Sequence, residues 1–146
     1  MKFRKSVFIV VYSKNKNKVE FLVLKRKLHW KGWEFPKGGI ERFELKRSAV
    51  KREIKEETGL EILKVKKFNF SGKFKYSKKF PDRPNFLGQS YSLYAVEVKK
   101  GKVKVDKKEH SDYKWLDFKK SERKLTWKNQ RYCLRIVNKS LQSQKM

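Results

Sequence analysis

The N-terminal part of the chain alternates runs of β-branched and aromatic residues with short polar segments. Residues 3–12 (FRKSVFIVVY) and 18–26 (KVEFLVLKR) are apolar-rich, whereas the SKNKN segment between them is polar and contains Asn. This pattern predicts a hairpin or a pair of adjacent strands. The HWKGWEFPKGG segment that follows mixes Trp, Pro and Gly, which predicts a loop, a short strand at about 33–35 and a glycine turn.

Two helices are predicted. The first covers about 45–58, because good helix formers run through this segment without Pro or Gly, and Gly59 then supplies a C-terminal stop. The second covers 126–138, where apolar residues recur at helical spacing and Thr126 can cap the first turn. The tail, 139–146, is predicted to be frayed.

Further strands are predicted between the two helices, at 61–70, 72–76 and 90–98 and in the KVKVD segment at 102–106. The order strands, helix, strands, helix, with hairpins instead of regular βα alternation, predicts an α+β fold. Because both helices must cover sheet faces, we expect an αβα sandwich with a mixed β-sheet between helices. The whole chain, 1–146, is expected to form a single domain.

Composition adds limits on the class of protein. Apolar residues make up 38% of the chain and aromatics 14%, which is enough for a core despite the many charges. The single cysteine, Cys133, excludes an internal disulfide and a cysteine metal cluster and fits a reducing compartment. No stretch approaches the roughly 20 apolar residues that a membrane span needs. We therefore expect a cytoplasmic protein without a membrane partner, of unknown oligomeric state.

The chain is strongly basic, with 41 Lys and Arg against 15 Asp and Glu and a formal net charge of +26. Clustered cations gain affinity for polyanions by releasing counterions from phosphates, so one interpretation is a surface that binds nucleic acid. The other is a general lysine bias, since 32 of the basic residues are Lys and they are spread over nearly every segment. The sequence leaves both interpretations open.

Against this background, a third of the acidic residues fall within 38–60: Glu41, Glu44, Glu53, Glu56 and Glu57. On a helical wheel, the last three share the arc of the helix's apolar residues, and the lysines lie opposite. Three inward carboxylates repel one another unless a cation lies among them. With no His or Cys nearby, the pattern favours Mg²⁺ or Mn²⁺ over zinc. The alternative is that these acids pair with neighbouring Lys and Arg.

The same stretch resembles a known signature. Gly38, Glu44 and the segment 52–60 (REIKEETGL) match without a gap the Nudix box GX5EX7REUXEEXGU, in which U is a bulky aliphatic residue. On these residues, the chain is identified as a member of the Nudix hydrolase family. The resemblance implies an αβα sandwich that holds Mg²⁺, with Mn²⁺ as a substitute, and cleaves a nucleoside diphosphate linked to a further group.

The resemblance also implies roles for individual residues. Arg52 would orient the carboxylates, and Glu44 would have a structural role near the helix start. The segment EHSDYKWLDF resembles the part of related proteins that brings a further glutamate to the metal, here Glu109. The implied metal ligands are Gly38 through its carbonyl, Glu53, Glu56, Glu57 and Glu109. The box glutamates Glu53, Glu56 and Glu57 are also the implied source of a general base.

Other residues are candidates for substrate binding. Lys37 in the FPKGG segment is expected to clamp phosphate oxygens, because it carries a cation on a flexible stem. Aromatic rings can stack on a base, and the candidates are Tyr76, Tyr91 and Tyr113, together with Trp30 and Trp33. Most aromatics in strands are core residues, so each candidate also has a structural interpretation. His29 and His110 are candidates for a general acid, but we interpret them as loop or surface histidines.

Three functions remain as hypotheses. The leading one is Mg²⁺-dependent hydrolysis of a dinucleoside polyphosphate, because WEFPKGGIE resembles the family members that act on such substrates. The second is removal of pyrophosphate or a cap from RNA 5′ ends, suggested by a loose resemblance of PNFLGQSYSLYAV to that branch. The third is a nucleic-acid-binding module without catalysis, which the intact pairs Arg52-Glu53 and Glu56-Glu57 of the box disfavour.

Overall fold

The structure is a computed structural model that describes residues 2–144. Within these residues, ten elements follow one another: β1 Lys2–Asn15, β2 Lys18–Arg26, β3 Gly32–Glu34, β4 Lys37–Gly39, α1 Lys46–Thr58, β5 Ile62–Lys75, β6 Phe86–Val98, β7 His110–Leu116, α2 Phe118–Lys124 and α3 Lys128–Ser143. The strands form one mixed sheet in the order β3-β2-β1-β6-β5, with β4 paired to β1 and β7 paired to β2. Strand β1 is parallel to β6 and antiparallel to β2 and β4.

The two faces of β1 belong to two separate cores. Because side chains alternate along a strand, successive residues of β1 point to opposite faces of the sheet. One core joins β1 to α3, through Phe8, Val10, Tyr12, Cys133, Leu134, Val137 and Leu141. The other joins β1 to α1, through Val7, Ile9, Val11, Ala49, Val50 and Ile54. The predicted αβα sandwich with a mixed sheet is confirmed.

The acid-bearing helix α1 follows β4 after a short loop. In β4, Lys37, Gly38 and Gly39 pair with Phe8, Val7 and Ser6 of β1. Helix α1 ends as the sequence predicts: Gly59 has a φ of 69°, and its N–H bonds the carbonyls of Ile54 and Lys55. Two hydrogen bonds hold α1 against β4: the Lys37 N–H donates to Glu57, and the Arg52 guanidinium donates to the Gly39 carbonyl.

The strand boundaries after α1 differ from the prediction. Residues 62–75 form one long strand, in which the break expected near residue 71 is a register shift between Lys67 and Ser71. The segment 102–106 is not a strand. It is attached to the end of α1 by the hydrogen bond from the Lys104 N–H to the Thr58 carbonyl, and the side chain of Val103 is buried in the core. The strand β7 instead begins at His110, in a segment for which no strand was predicted.

The C-terminal helices also differ from the prediction. Thr126 does not cap α3: its hydroxyl accepts a hydrogen bond from the Trp33 N–H, and Trp127 precedes the helix without a side-chain cap. Helix α3 continues to Ser143, because Leu141 is buried in the core, so 139–143 is not frayed. Residues 145–146 of the predicted tail lie outside the described residues. The short α2, capped by Asp117, was not predicted.

None of the helices in residues 2–144 has the length and apolar character needed to cross a bilayer. The cytoplasmic location expected from the sequence stays a prediction.

Candidate active site

A polar cavity of about 90 Å³ lies between the second half of α1, strand β4 and the loop before β7. Acidic and basic side chains line it together. The acids are Glu53, Glu56, Glu57, Asp106 and Glu109, and the bases are Arg4, Arg26, Lys37 and Arg83. Gly38, Gly39 and Gln89 complete the lining. The cavity therefore gathers all the metal ligands that the sequence predicts.

Two glycines allow β4 to approach its neighbours closely. A Cβ atom at Gly38 would overlap the carboxylate of Glu53, and one at Gly39 would overlap the guanidinium of Arg4. No side chain fits at Gly38 unless Glu53 moves. The glycine that opens the box is thus required by the packing of β4 against α1.

Arg52 holds the carboxylates of the box in place. Its Nε and Nη2 donate to both oxygens of Glu44 at 2.8 and 2.9 Å, and its Nη2 also donates to the Gly39 carbonyl at 2.9 Å. Its Nη1 donates to Glu53 at 2.7 Å and to Glu56 at 3.3 Å. The hydrogen bond from Arg52 lowers the pKa of Glu44 to about 2. Arg52 thus ties the start of α1, strand β4 and the carboxylate cluster together.

Glu53 and Glu57 are buried, with 8% and 1% of their surface exposed. Burial raises the pKa of Glu53 to about 7, although the charge of Arg52 opposes this. Burial, and then the charges of Glu53 and Glu34, raise the pKa of Glu57 well above its ordinary range. In the protein without a cation, these acids bind protons more tightly than ordinary glutamates do.

Glu56 does not face inward as the helical wheel predicts. Its side chain is 54% exposed, although Arg52 keeps it at the rim of the cavity. The wheel places Glu56 on the same side as Leu45, which it counts as apolar and inward. Leu45, however, precedes the helix and is itself 75% exposed, so this side of α1 is not covered. The sheet therefore covers only the side of α1 that carries Ala49, Val50 and Ile54.

The surroundings of Glu57 and Glu109 in this cavity have the properties of a cation site. One oxygen of Glu57 accepts a hydrogen bond from the Lys37 N–H at 3.2 Å, whereas Oε1 is buried with no partner among the described residues. Ligand atoms of Glu57, Glu109 and His110 lie within 4.8 Å of one another. An unpaired carboxylate oxygen among other acids is costly unless a cation joins them. The residues present therefore fit a divalent metal ion.

A buried polar network that the sequence reasoning missed lies beside this site. Glu34 is fully buried and accepts hydrogen bonds from Arg26 at 3.1 Å, from His110 at 2.9 Å and from the Trp30 indole at 3.3 Å. Burial alone would raise the pKa of Glu34, but the charges of Lys37 and Arg26 and the His110 hydrogen bond lower it to about 2. The sequence does contain one signal for this network: Glu34 lies between two aromatic residues, Trp33 and Phe35, in a predicted short strand.

His110 is fully buried, so its interpretation as a loop or surface histidine is wrong. It begins β7 opposite Arg26 of β2, and this pairing carries its ring to Glu34. His29 does lie in a loop, with a φ of 71°, and contacts Asp82 at 3.0 Å.

Lys37 connects the polar cavity to a second, aromatic one. Only 6% of Lys37 is exposed, and its Nζ lies 4.3 Å from the centroid of the Trp30 ring and 3.9 Å from Glu34. Burial lowers the pKa of Lys37 to about 8, although the charge of Glu34 opposes this. The second cavity measures about 320 Å³ and is lined by Phe8, Trp30, Lys37, Phe74, Lys75, Tyr76, Ser77, Phe80, Trp127, Lys128, Asn129 and Gln130. Its apolar rings make it suited to a flat ligand.

A model of the NUDIX domain family matches residues 2–135. The chain belongs to the Nudix family. A curated relative, the RNA pyrophosphohydrolase of a Nitratiruptor species, is 32% identical over 124 residues, which cover 81% of this chain and 80% of that protein. The family and this relative identify the chain as a pyrophosphohydrolase, so the hypothesis of a module without catalysis is not supported.

Solved structures of Nudix proteins share the fold. A protein described as a NUDIX hydrolase from Listeria monocytogenes has a TM-score of 0.79 and is 22% identical, with 100% of this chain and 98% of that chain covered. An Ap4A hydrolase from C. elegans, solved as a binary complex, has a TM-score of 0.78 and is 21% identical, with 96% and 98% covered. At these identities the likeness concerns the fold alone.

The three tyrosines proposed to bind substrate lie in different places in this Nudix fold. Tyr76 lines the aromatic cavity, and its hydroxyl accepts hydrogen bonds from Arg83 at 3.1 Å and Gln89 at 3.0 Å. Tyr91 is 6% exposed and stacks on Phe8 at 3.9 Å in the core. Tyr113 packs against the other core. Neither Tyr91 nor Tyr113 lines one of the two cavities.

The two tryptophans proposed to stack on a base also lie in different places. Trp30 lines the aromatic cavity and meets Trp127 edge to face, with 6.0 Å between the ring centroids. Trp33 lies outside both cavities, where Lys114 and Lys124 cover its ring.

The buried acids predict that the metal-free Nudix protein loses stability as pH rises. Because Glu53 has a pKa of about 7 when folded and an ordinary value of 4.5, the native state holds more protons than the unfolded chain between these values. The free energy of unfolding should therefore fall from about pH 5 to about pH 7.5, as measured by urea denaturation with a chelator present. Glu53→Gln should make this fall shallower, because Gln cannot ionise.

Glu61→Gln is the matched control, since Glu61 is exposed beyond the end of α1. It should leave the slope unchanged. Equal slopes in the wild type and Glu53→Gln would contradict the burial of an ionisable Glu53.

Proposed function

We propose that the chain is a Mg²⁺-dependent hydrolase that cleaves a phosphoanhydride bond in a nucleoside diphosphate linked to a further group. A dinucleoside polyphosphate is the favoured substrate. One observation carries the proposal: an aromatic cavity large enough for a base adjoins a carboxylate cavity, and Lys37 lines both. A base and the phosphate chain attached to it would fill the two cavities together.

The aromatic cavity supports the choice of a nucleotide. Stacking of a base on an aromatic side chain contributes about 1 to 3 kcal/mol. Trp30, Phe80 and Trp127 offer rings there. Asn129 also lines the cavity, and its Oδ1 is buried without a partner among the described residues. An amine or imino N–H on the base edge would satisfy this oxygen.

The polar cavity supports the choice of phosphate chemistry. Arg4, Arg26, Lys37 and Arg83 surround the carboxylates and would neutralise and orient the phosphate oxygens. Gly38, Glu53, Glu56, Glu57 and Glu109 would hold the metal. When bound, Mg²⁺ or its substitute Mn²⁺ would neutralise phosphate charge and lower the pKa of water. One of the box glutamates would accept the proton of the attacking water, while Arg52 keeps their orientation.

RNA with a 5′ triphosphate is the second candidate substrate. The 32% identical relative is an RNA pyrophosphohydrolase, and a net charge of +26 suits a long polyanion. Exposed Lys75 and Lys128 line the aromatic cavity, where they would meet the phosphates of following nucleotides.

The two candidates can be separated by a substrate screen. Dinucleoside polyphosphates, nucleoside triphosphates, nucleotide sugars and triphosphorylated RNA are incubated with Mg²⁺, and products are identified by mass. We expect the highest kcat/KM for a dinucleoside polyphosphate, with a weak dependence on salt. If RNA is the substrate, its affinity should instead fall steeply between about 50 and 200 mM salt, because several phosphate contacts release counterions. No hydrolysis in any arm would contradict the proposed function.

Replacement of Glu57 tests the catalytic role of the carboxylates. Glu57→Gln should lower kcat roughly 100-fold or more, because it removes a ligand or base from the cluster. Folding should be intact or slightly improved, since a neutral amide at this buried position removes charge repulsion and can still accept the Lys37 N–H. Steady-state kinetics and urea unfolding measure the two effects. Glu61→Gln is the control, and nearly unaltered turnover in Glu57→Gln would show the assignment to be wrong.

Replacement of Trp127 tests the aromatic cavity. Trp127 is 39% exposed at the edge of the cavity, so Trp127→Leu removes a ring without opening the core. For a nucleotide substrate, KM should rise roughly 5-fold or more, with a small change in kcat. Trp33→Leu is the matched variant outside the cavities and should leave KM unchanged. Equal KM values for both variants would exclude Trp127 from base binding.

A further inference from the structure

His110 has an unusual position for a histidine without an assigned role. It is fully buried, and its Nδ1 has no hydrogen-bond partner among the described residues. Its other nitrogen, Nε2, lies 2.9 Å from Oε2 of Glu34. The ionised Glu34 carboxylate only accepts hydrogen bonds, so Nε2 carries a hydrogen and donates it. In the neutral tautomer, Nδ1 is then left with a free lone pair.

We propose that His110 supplies a nitrogen ligand to the divalent cation of this site, alongside Glu57 and Glu109. The inference rests on the proposed metal-dependent function and adds a residue outside the box. One ligand atom from each of these three residues lies within 4.8 Å of the others. In two of these residues a buried atom has no partner among residues 2–144, Oε1 of Glu57 and Nδ1 of His110, and the cation we infer is the partner proposed for them.

The surroundings of His110 match those of a ligating histidine. Such a histidine usually donates its second ring N–H to a carboxylate, which fixes the tautomer and strengthens the free nitrogen as a ligand. Glu34 takes this place here, and Arg26 and the Trp30 indole fix its orientation. A purely structural His110 would explain the bond to Glu34. It would not explain why a buried ring nitrogen lacks a partner among the described residues, in a histidine that has a ring nitrogen within 4.8 Å of carboxylate oxygens of Glu57 and Glu109.

A nitrogen ligand changes which metal the site prefers. Mg²⁺ favours oxygen ligands, whereas the first-row transition metals accept imidazole readily. The site should therefore bind Mn²⁺ more tightly than Mg²⁺, and His110 should account for a large part of the difference.

Pulsed electron paramagnetic resonance of the Mn²⁺ complex tests the proposal. The chain has two histidines, so His29→Gln leaves His110 alone. This variant is prepared once with natural histidine and once with ¹⁵N-labelled histidine, and the nitrogen modulation of the bound Mn²⁺ is compared. We expect a strong ¹⁴N modulation in the protein with natural histidine and a ¹⁵N modulation in its place in the protein with ¹⁵N-labelled histidine. This measurement needs no substitution at His110 and does not depend on activity.

A binding measurement complements the spectra. His110→Gln should raise the Kd for Mn²⁺ about 10-fold or more, and the Kd for Mg²⁺ by a smaller factor, whereas His29→Gln should leave both unchanged. If Mn²⁺ binds but its spectrum is unaffected by ¹⁵N-histidine, His110 is not a ligand and the inference fails, while the proposed function stands. If Mn²⁺ does not bind at all, the inference and the proposed metal-dependent function fail together.

Discussion

Glu57 is buried with one carboxylate oxygen that finds no partner within residues 2–144, and this unfavourable burial is the constraint on which the whole site depends. The fold tolerates it because the other oxygen accepts the Lys37 N–H and because Arg52 takes up the charges of the neighbouring acids. The oxygen without a partner and the neighbouring acids would be stabilised by a cation. The proposed metal affinity would thus follow from the way in which the helix is packed, since a solvated helix would leave the same acids satisfied by water.

The close approach of β4 to α1 creates this burial. Gly38 permits it, since any side chain there would overlap Glu53, and Arg52 secures it by bonding the Gly39 carbonyl and Glu44 together. Strand β1 in turn holds β4 in register and contributes to the cores on both faces of the sheet. The site is therefore connected to a strand whose residues 6–13 are all buried, which keeps mutually repelling groups in place.

The polar network around Glu34 joins the two halves of the site. Glu34 lies near Lys37, which lines both cavities, and bonds His110, which lies at the carboxylate end. Because these groups are buried and mutually paired, they connect the two cavities through rigid contacts. In the proposed function, this network would couple the position of the base to those of the phosphates and the metal.

The order of strand and helix patterns predicts the fold class, and the run of helix formers that ends at Gly59 predicts the first helix. The fixed spacing of the box places its last three glutamates close together on that helix, because residues three and four apart are neighbours there. Tertiary structure decided the rest. Glu56 is exposed because the sheet covers only part of α1, and His110 is buried because β7 pairs with β2. Tyr91 joins the core while Tyr76 lines a cavity, although both are tyrosines near strands. Such outcomes depend on contacts between residues distant in sequence, which local patterns do not encode.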